Sequence, residues 1–455
     1  MTESELPLWL GLWLATAAYL LVRHWASGRG AGLVLTYVLS YGAIHWLAAA
    51  LYALPWYNAP AIEVTAIGLR VAALGMVAFA LGGELGLLLS HRYGRPPAAA
   101  DDSGASVAPR TATLYLVMGV LAYVVVAPVA SSLPTIGAFV STTSSLMVLG
   151  VGLKAWNGWQ AGRRTVTWAW LITSTTFPAM TLLGQGFLGF GFAAMLIVVA
   201  FVASFYRPRW IVIVAGVLVT YLGISVYVTY MRDRRDIRSV VWGGEAMSAR
   251  LETLAAAFSD FEWFDLTRIE HLRRIDERLN QDALVGAAVQ GIESEAVPLA
   301  MGGTLVDAVV ALVPRAIWPN KPVEAGSGNV VSDYTGLRFV DGTSVGIGHV
   351  MEWYINFAMP GLWIGLAAFG AALVFIDRTA AAYLREGDAG RFALWFLPGT
   401  SLLGVGGSFV ETSASAAASL LLAWVLLHVT ARWDDLARPA DDDASRASGA
   451  EHDWR

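Results

Sequence analysis

The chain has no cysteine, which excludes disulfides, thiol nucleophiles and iron–sulfur clusters held by thiolates. Charge is scarce too. Only 14% of the 455 residues are Asp, Glu, Lys or Arg, where an ordinary soluble domain has about a quarter. Against this, 56% are hydrophobic and mean hydropathy is +0.57. A water-soluble fold of this length could not bury so much apolar surface in one or two cores. The excess requires a bilayer, which excludes most soluble enzymes and secreted disulfide scaffolds. A net charge of -5 and a pI near 5.8 give no sign of a nucleic-acid partner. The leader Met1–Glu5 is acidic, unlike the basic start of a cleavable signal peptide, so the first apolar run is expected to stay as a span.

A membrane-crossing helix needs about 20 mostly apolar residues. Eleven runs qualify, near 6–22, 32–54, 71–90, 112–130, 136–153, 166–183, 187–205, 210–230, 350–376, 392–408 and 413–431. The expected fold class is therefore an all-α polytopic membrane protein with about eleven transmembrane helices and one large extracytoplasmic loop. Orientation follows from the basic residues of short loops. One set of connections carries Arg23, Arg29, Arg92, Arg95, Arg110, Lys154, Arg163, Arg164, Arg207, Arg209, Arg378, Arg385 and Arg391. The alternate connections, at Ser131–Thr135, Gly184–Gly186 and Ser408–Thr412, carry none. This places the N-terminus outside and the C-terminus in the cytoplasm. The regions expected are an eight-span part over 1–230, an extracytoplasmic loop over 231–349, a three-span part over 350–431 and a disordered polar tail over 432–455. The segment Arg95–Pro109 reads as a linker.

Twelve of the thirty Lys and Arg residues lie between Met231 and Gly348. Within this loop Leu266, Ile269, Leu272, Ile275 and Leu279 recur at helical spacing. Asp265 or Thr267 could cap that helix, and Glu270 could pair with Arg273 or Arg274. Arg273, Arg274 and Arg278 are either the solvated face of a surface helix or contacts to an anionic substrate. The apolar run Ala296–Val313, carrying Asp307, reads as an interfacial or re-entrant helix.

The sharpest segment is Val313-Pro-Arg-Ala-Ile-Trp-Pro-Asn-Lys-Pro322. Three prolines in ten residues exclude a regular helix or central strand. Trp318 suits the interface, and Arg315 and Lys321 are fixed cations. Gly326-Ser-Gly328 follows, then Tyr334, Arg338 and Asp341. Gly-Ser-Gly lets backbone N–H groups approach an anion, and Arg offers a planar fork for phosphate. Such a rigid, cationic, aromatic-edged loop suits a lipid whose diphosphate headgroup lies at the interface; the alternative is a cap over the span mouths with Arg315 on loop carbonyls. In Gly348-His-Val-Met-Glu-Trp-Tyr-Ile-Asn-Phe-Ala-Met-Pro-Gly361, His349, Glu352 and Asn356 share one face of a helix start. Glu352 or His349 there is either a general base or, for Glu352, an acidic residue favoured by the helix dipole.

Pro314–Pro322 followed by Glu352–Gly361 resembles the oligosaccharide repeat unit polymerases, the O-antigen polymerase group, similar in layout to the O-antigen ligases and expected to be GT-C-like. Arg315 and Gly326 fit the Arg-x10-Gly pattern of such loops. Ala358 stands where many relatives have Gly, and Val350, not Asn, follows His349. The resemblance implies glycosyl transfer between undecaprenyl-diphosphate-linked oligosaccharides at the outer face of the inner membrane, making O-antigen, capsule or exopolysaccharide. It implies Arg315 at the leaving diphosphate, with Lys321, Arg338, Arg273, Arg274 and Arg70 assisting, Trp318 and Tyr354 lining the substrate, and Glu352 or His349 as base. A chain-length regulator and a flippase would be partners. No metal or other cofactor is implied: an Asp-x-Asp motif is missing from the outer loop, as is any His/carboxylate cluster at metal spacing.

Ionisable residues in or near spans are His45, Arg70, Glu84 and Lys154. Each is a functional candidate by default, although Arg70 and Lys154 could simply snorkel to the interface. Glu84 is expected to be protonated or paired, and Glu411 to line a cavity. A ligase, a transporter with broken, inverted repeats and an inert scaffold are the competing classes.

Overall fold

The structure is a computed structural model that describes residues 5–58, 61–93, 104–126, 134–207, 209–313, 317–323, 327–339 and 345–436. Among them all regular structure is helical. Eight helices are long and apolar enough to cross a membrane: α1 (Leu6–Ser27), α2 (Leu33–Leu51), α3 (Ile62–Arg92), α4 (Pro109–Val126), α8 (Leu188–Phe205), α9 (Arg209–Trp242), α15 (Gly348–Arg385) and α17, apolar over Phe409–Val429. Between them lie α5 (Pro134–Gln160), α6 (Arg164–Thr173), α7 (Thr176–Gln185), α10 (Met247–Ser259), α11 (Ile269–Leu279), α12 (Gln281–Glu293), α13 (Gly303–Ala311), α14 (Gly328–Thr335) and α16 (Ala389–Ser401).

Two of the eleven expected spans take another form. The run 166–183 is divided into α6 and α7, where Ser174, Thr175 and Thr176 hydroxyls bond carbonyls three residues back, at 2.6, 2.7 and 2.8 Å. These polar side chains break the helix. The run 392–408 gives the 13-residue α16, ended by the glycine-rich Gly404–Gly407 stretch. At about 1.5 Å per residue α16 is roughly 20 Å long, too short to span alone. Conversely, the run 210–230 extends as α9 to Trp242, beyond the expected start of the loop.

The core is organised on α3, which packs against both α15 and α12. Gly82 faces the Ala367 carbonyl and Gly68 the Asp282 carbonyl so closely that a Cβ at either place would collide with backbone. Small residues let membrane helices approach in this way. By contrast, α9 turns Trp210, Ile213, Val214, Val217 and Leu218 outward, a surface suited to lipid.

Several basic residues of the 231–348 segment are tied into the fold. Glu262 accepts from Arg232 Nη1 at 3.0 Å, Arg274 Nη1 at 2.8 Å and His271 Nε2 at 3.0 Å. Burial pushes its carboxyl up, but these hydrogen bonds outweigh burial and hold it at about 2. Arg274 therefore pairs with Glu262 and not Glu270, whose nearest cation is Arg268 at 4.0 Å. Asp265 and Thr267 do not cap α11. Asp265 instead accepts from the Thr267 backbone N–H at 2.8 Å and hydroxyl at 2.7 Å, shaping the turn before it.

Candidate outer-end site

The entry of α15 is built from Gly348–Asn356, after which the chain kinks. Phe357 has φ -144° and ψ 23°, and Ala358 has φ 52° and ψ -145°. Pro360 follows and has no N–H for the ladder, which helps the helix restart at an angle. Ala358 thus occupies a backbone region that is essentially glycine's.

Ahead of the kink, His349, Glu352 and Asn356 are all buried. His349 Nδ1 lies 3.4 Å from the Tyr37 hydroxyl, its ring packs among Tyr37, Phe369 and Phe409, and its Nε2 has no partner among the described residues. Glu352 Oε2 accepts from the Phe409 backbone N–H at 2.7 Å. That N–H is at the start of α17, where a carboxylate is favoured both by the unpaired donor and by the helix dipole. Asn356 accepts from Gly302 N at 3.0 Å and donates to Thr304 Oγ1 at 2.7 Å. Ala300 N reaches the Ile355 carbonyl at 2.9 Å. These bonds seat the loop before α13 on the helix entry. Tyr354 is buried beside them, its hydroxyl 3.4 Å from Glu293.

The remaining candidates divide. Arg315 and Gly326 lie outside the described residues. Lys321 Nζ donates to the carbonyls of Ala311 and Val313, both at 3.1 Å, so it closes the proline loop on the end of α13. Trp318 is 43% exposed. Arg338 and Arg273 are exposed. Arg70 is half-buried on α3, and its charge acts on Tyr354. Glu411 accepts from Ser408 N at 3.1 Å, turning back on the start of its own helix. Arg70, Tyr354, His349, Glu352 and Lys321 therefore belong to one end of the bundle, whereas Arg274 is tied to Glu262.

A second buried pair was only half visible in the sequence. His45 lies in a π-helical turn, Gly42–Trp46, within α2. Its Nδ1 is 2.7 Å from Asp282 Oδ1 on the first turn of α12. Burial pushes the Asp282 carboxyl up, while His45 pulls the other way. Both side chains are essentially inaccessible, and His45 Nε2 and Asp282 Oδ2 have no other partner. His45 stood out as a polar residue in an apolar run. Asp282 did not, because it begins a helix in a segment already rich in charge. Single π-turns inside helices recur at functional sites.

No curated protein and no solved structure matches the chain. A family model does match, over residues 56–385, from the loop after α2 to the end of α15. By that match the chain belongs to the DUF8712 family, described as a domain of unknown function.

Proposed function

We propose that this protein is a membrane-embedded glycosyltransferase that polymerises undecaprenyl-diphosphate-linked oligosaccharide repeat units at the outer face of a bacterial inner membrane. One observation carries the reading. The two sequence strings behind the polymerase resemblance are tied to the two ends of one short helix: Asn356 of the second holds Gly302 and Thr304 at the start of α13, and Lys321 of the first holds the carbonyls at its end.

In this reading the bond between the anomeric carbon and the phosphate oxygen breaks, and the diphosphate leaves on its carrier lipid. A new bond forms from that carbon to an acceptor hydroxyl, whose proton goes to His349 or Glu352. His349 keeps a nitrogen without a partner, and Glu352 has one oxygen engaged by Phe409. Arg315 neutralises the leaving diphosphate, with Arg70 and Lys321 at the same end of the bundle, Arg338 assisting, and Trp318 and Tyr354 as aromatic surfaces. Tied to Glu262, Arg274 is a fold residue in this scheme.

The finer topology belongs to the same proposal: eleven membrane passes, counting α5, the α6–α7 pair and α16, with the N-terminus outside and the C-terminus inside. It is supported by which ends meet. Leu6 and Leu10 of α1 pack in one cluster with Leu272 and Ile275, while the other end of α1 meets Asp377 and Arg385.

The test is a strain lacking the gene, complemented with wild type or with Arg315→Ala, its surface polysaccharide resolved on a gel. Single repeat units in place of a ladder, in both the deletion and the variant, are expected. Long lipid-linked polymer that never reaches its final acceptor would assign ligase activity instead. A wild-type ladder from normally expressed Arg315→Ala would refute the assignment of Arg315.

A further inference from the structure

At the opposite end of the bundle from the α15 entry, a hollow of about 340 Å³ opens between α1, α3 and α15. That size is at the lower end for small-ligand sites. Its walls include Arg23, Arg29, Arg378, His91 and a single acid, Glu84.

Glu84 is already engaged. Arg23 grips it with two hydrogen bonds, at 2.6 and 3.0 Å, and the Tyr19 hydroxyl adds a third at 2.7 Å. The neighbouring Asp377 faces inward, accepting from Ala31 N at 3.0 Å and Leu33 N at 2.8 Å, with His24 at 3.7 Å. Arg378 Nη2 lies 3.2 Å from His91 Nε2 there. Arg29 repels Arg378 and the nearby Asp377 charge attracts it, but among the described residues neither arginine has a carboxylate in hydrogen-bond reach. Two arginines lining one hollow repel each other, and an anion between them offsets that repulsion. The hollow also adjoins lipid-facing surface: Val22 and Leu88 on its two flanking helices are 62% and 66% exposed.

We propose that this hollow binds a phosphate-bearing anion, its phosphate held by the guanidinium groups of Arg29 and Arg378. Arginine pairs phosphate bidentately. The group has two sources, the headgroup of an anionic phospholipid in the adjoining leaflet or a soluble phosphate compound. The inference is independent of the glycosyltransferase reading, since it concerns the other end of the molecule.

The full chain, purified and delipidated, would be titrated with phosphatidylglycerol in phosphatidylcholine nanodiscs and, separately, with inorganic phosphate. Bound lipid is counted by native mass spectrometry and phosphate binding by calorimetry. Arg29→Gln with Arg378→Gln is expected to weaken binding about tenfold or more, as the loss of charged hydrogen bonds predicts. Arg378→Lys is expected to lose less, and Arg163→Gln, an exposed cation elsewhere, nothing. Saturable phosphatidylglycerol binding lost in the double variant assigns the site to lipid. Saturable phosphate binding lost in that variant, with no preference for phosphatidylglycerol, assigns it to a soluble phosphate compound. Equal binding by wild type and the double variant, or no saturable binding of either probe, overturns the proposal. If the double variant does not fold, Arg29→Gln alone carries the test, because Arg29 is exposed and its side chain makes no hydrogen bond within the described chain.

Discussion

Asp282 Oδ1 stands 2.7 Å from His45 Nδ1, joining the first turn of α12 to the π-turn of α2 across 237 positions of sequence. The pair is sealed from water on every side. Removing one member of a buried polar pair strands the other, at a cost of about 3–5 kcal/mol when charges are involved. Asp282→Ala is therefore expected to lower thermal stability severely. Asp282→Asn, which retains an acceptor for His45, should be milder. Thermal melting of the purified variants compares them, and a double-mutant cycle with His45→Ala should show that the two losses are not additive. Additive losses would mean that the 2.7 Å contact contributes nothing.

Ala358 gives a prediction of opposite sign. Its φ of 52° and ψ of -145° lie where a Cβ is strained, at about 1–3 kcal/mol. Ala358→Gly should raise stability by about 1 kcal/mol, the rest being offset by the greater freedom of glycine in the unfolded chain. Ala358→Val should lower it. A fall in melting temperature for Ala358→Gly would show that the kink is not strained.

The Glu262 cluster makes stability depend on pH. Its folded-state carboxyl titrates at about 2, below its ordinary 4.5. A depressed carboxyl stabilises the fold fully above the unfolded value and loses that contribution as pH falls through the folded one. The contribution is therefore present above about 4.5 and fades toward 2, with a ceiling of about 3 kcal/mol at 1.36 kcal/mol per unit. Glu262→Gln should melt well below wild type at pH 7. The gap should narrow steadily as pH is lowered from 5 to 3. A gap independent of pH would mean that the Glu262 charge is not what Arg232, Arg274 and His271 hold.

How far the sequence foretold this arrangement depends on whether local pattern or long-range partner decided each part. The apolar runs were legible because a bilayer imposes about 20 consecutive apolar residues whatever the neighbours are. Arg23 and Glu84, 61 positions apart, were not legible as partners, since nothing in either run points to the other. The same holds for Arg274, for which helical spacing offered Glu270, one turn away, but whose partner is Glu262 at 2.8 Å. Where composition alone marks a span, as in 392–408, the helix still stops at Ser401, short of the glycines that follow. The helix start at Gly348 and the shared face of His349, Glu352 and Asn356 were visible from spacing. That Glu352 would cap another helix was not, because Phe409 is 57 positions away.

That contact separates two roles for Glu352. Glu352→Ala leaves the Phe409 N–H buried without an acceptor, at about 1–3 kcal/mol. Glu352→Gln keeps an amide oxygen that can replace the carboxylate, so the start of α17 should hold and melting should change by about 1 kcal/mol or less. An amide, however, cannot take a proton from an acceptor hydroxyl. A general base contributes roughly 10²–10⁴-fold. If Glu352 is the base, Glu352→Gln should give a folded protein that yields single repeat units and no ladder. A wild-type ladder from Glu352→Gln, with a shortened one from the less stable Glu352→Ala, would confine Glu352 to its structural bond and leave His349, whose Nε2 has no partner, as the base to test next.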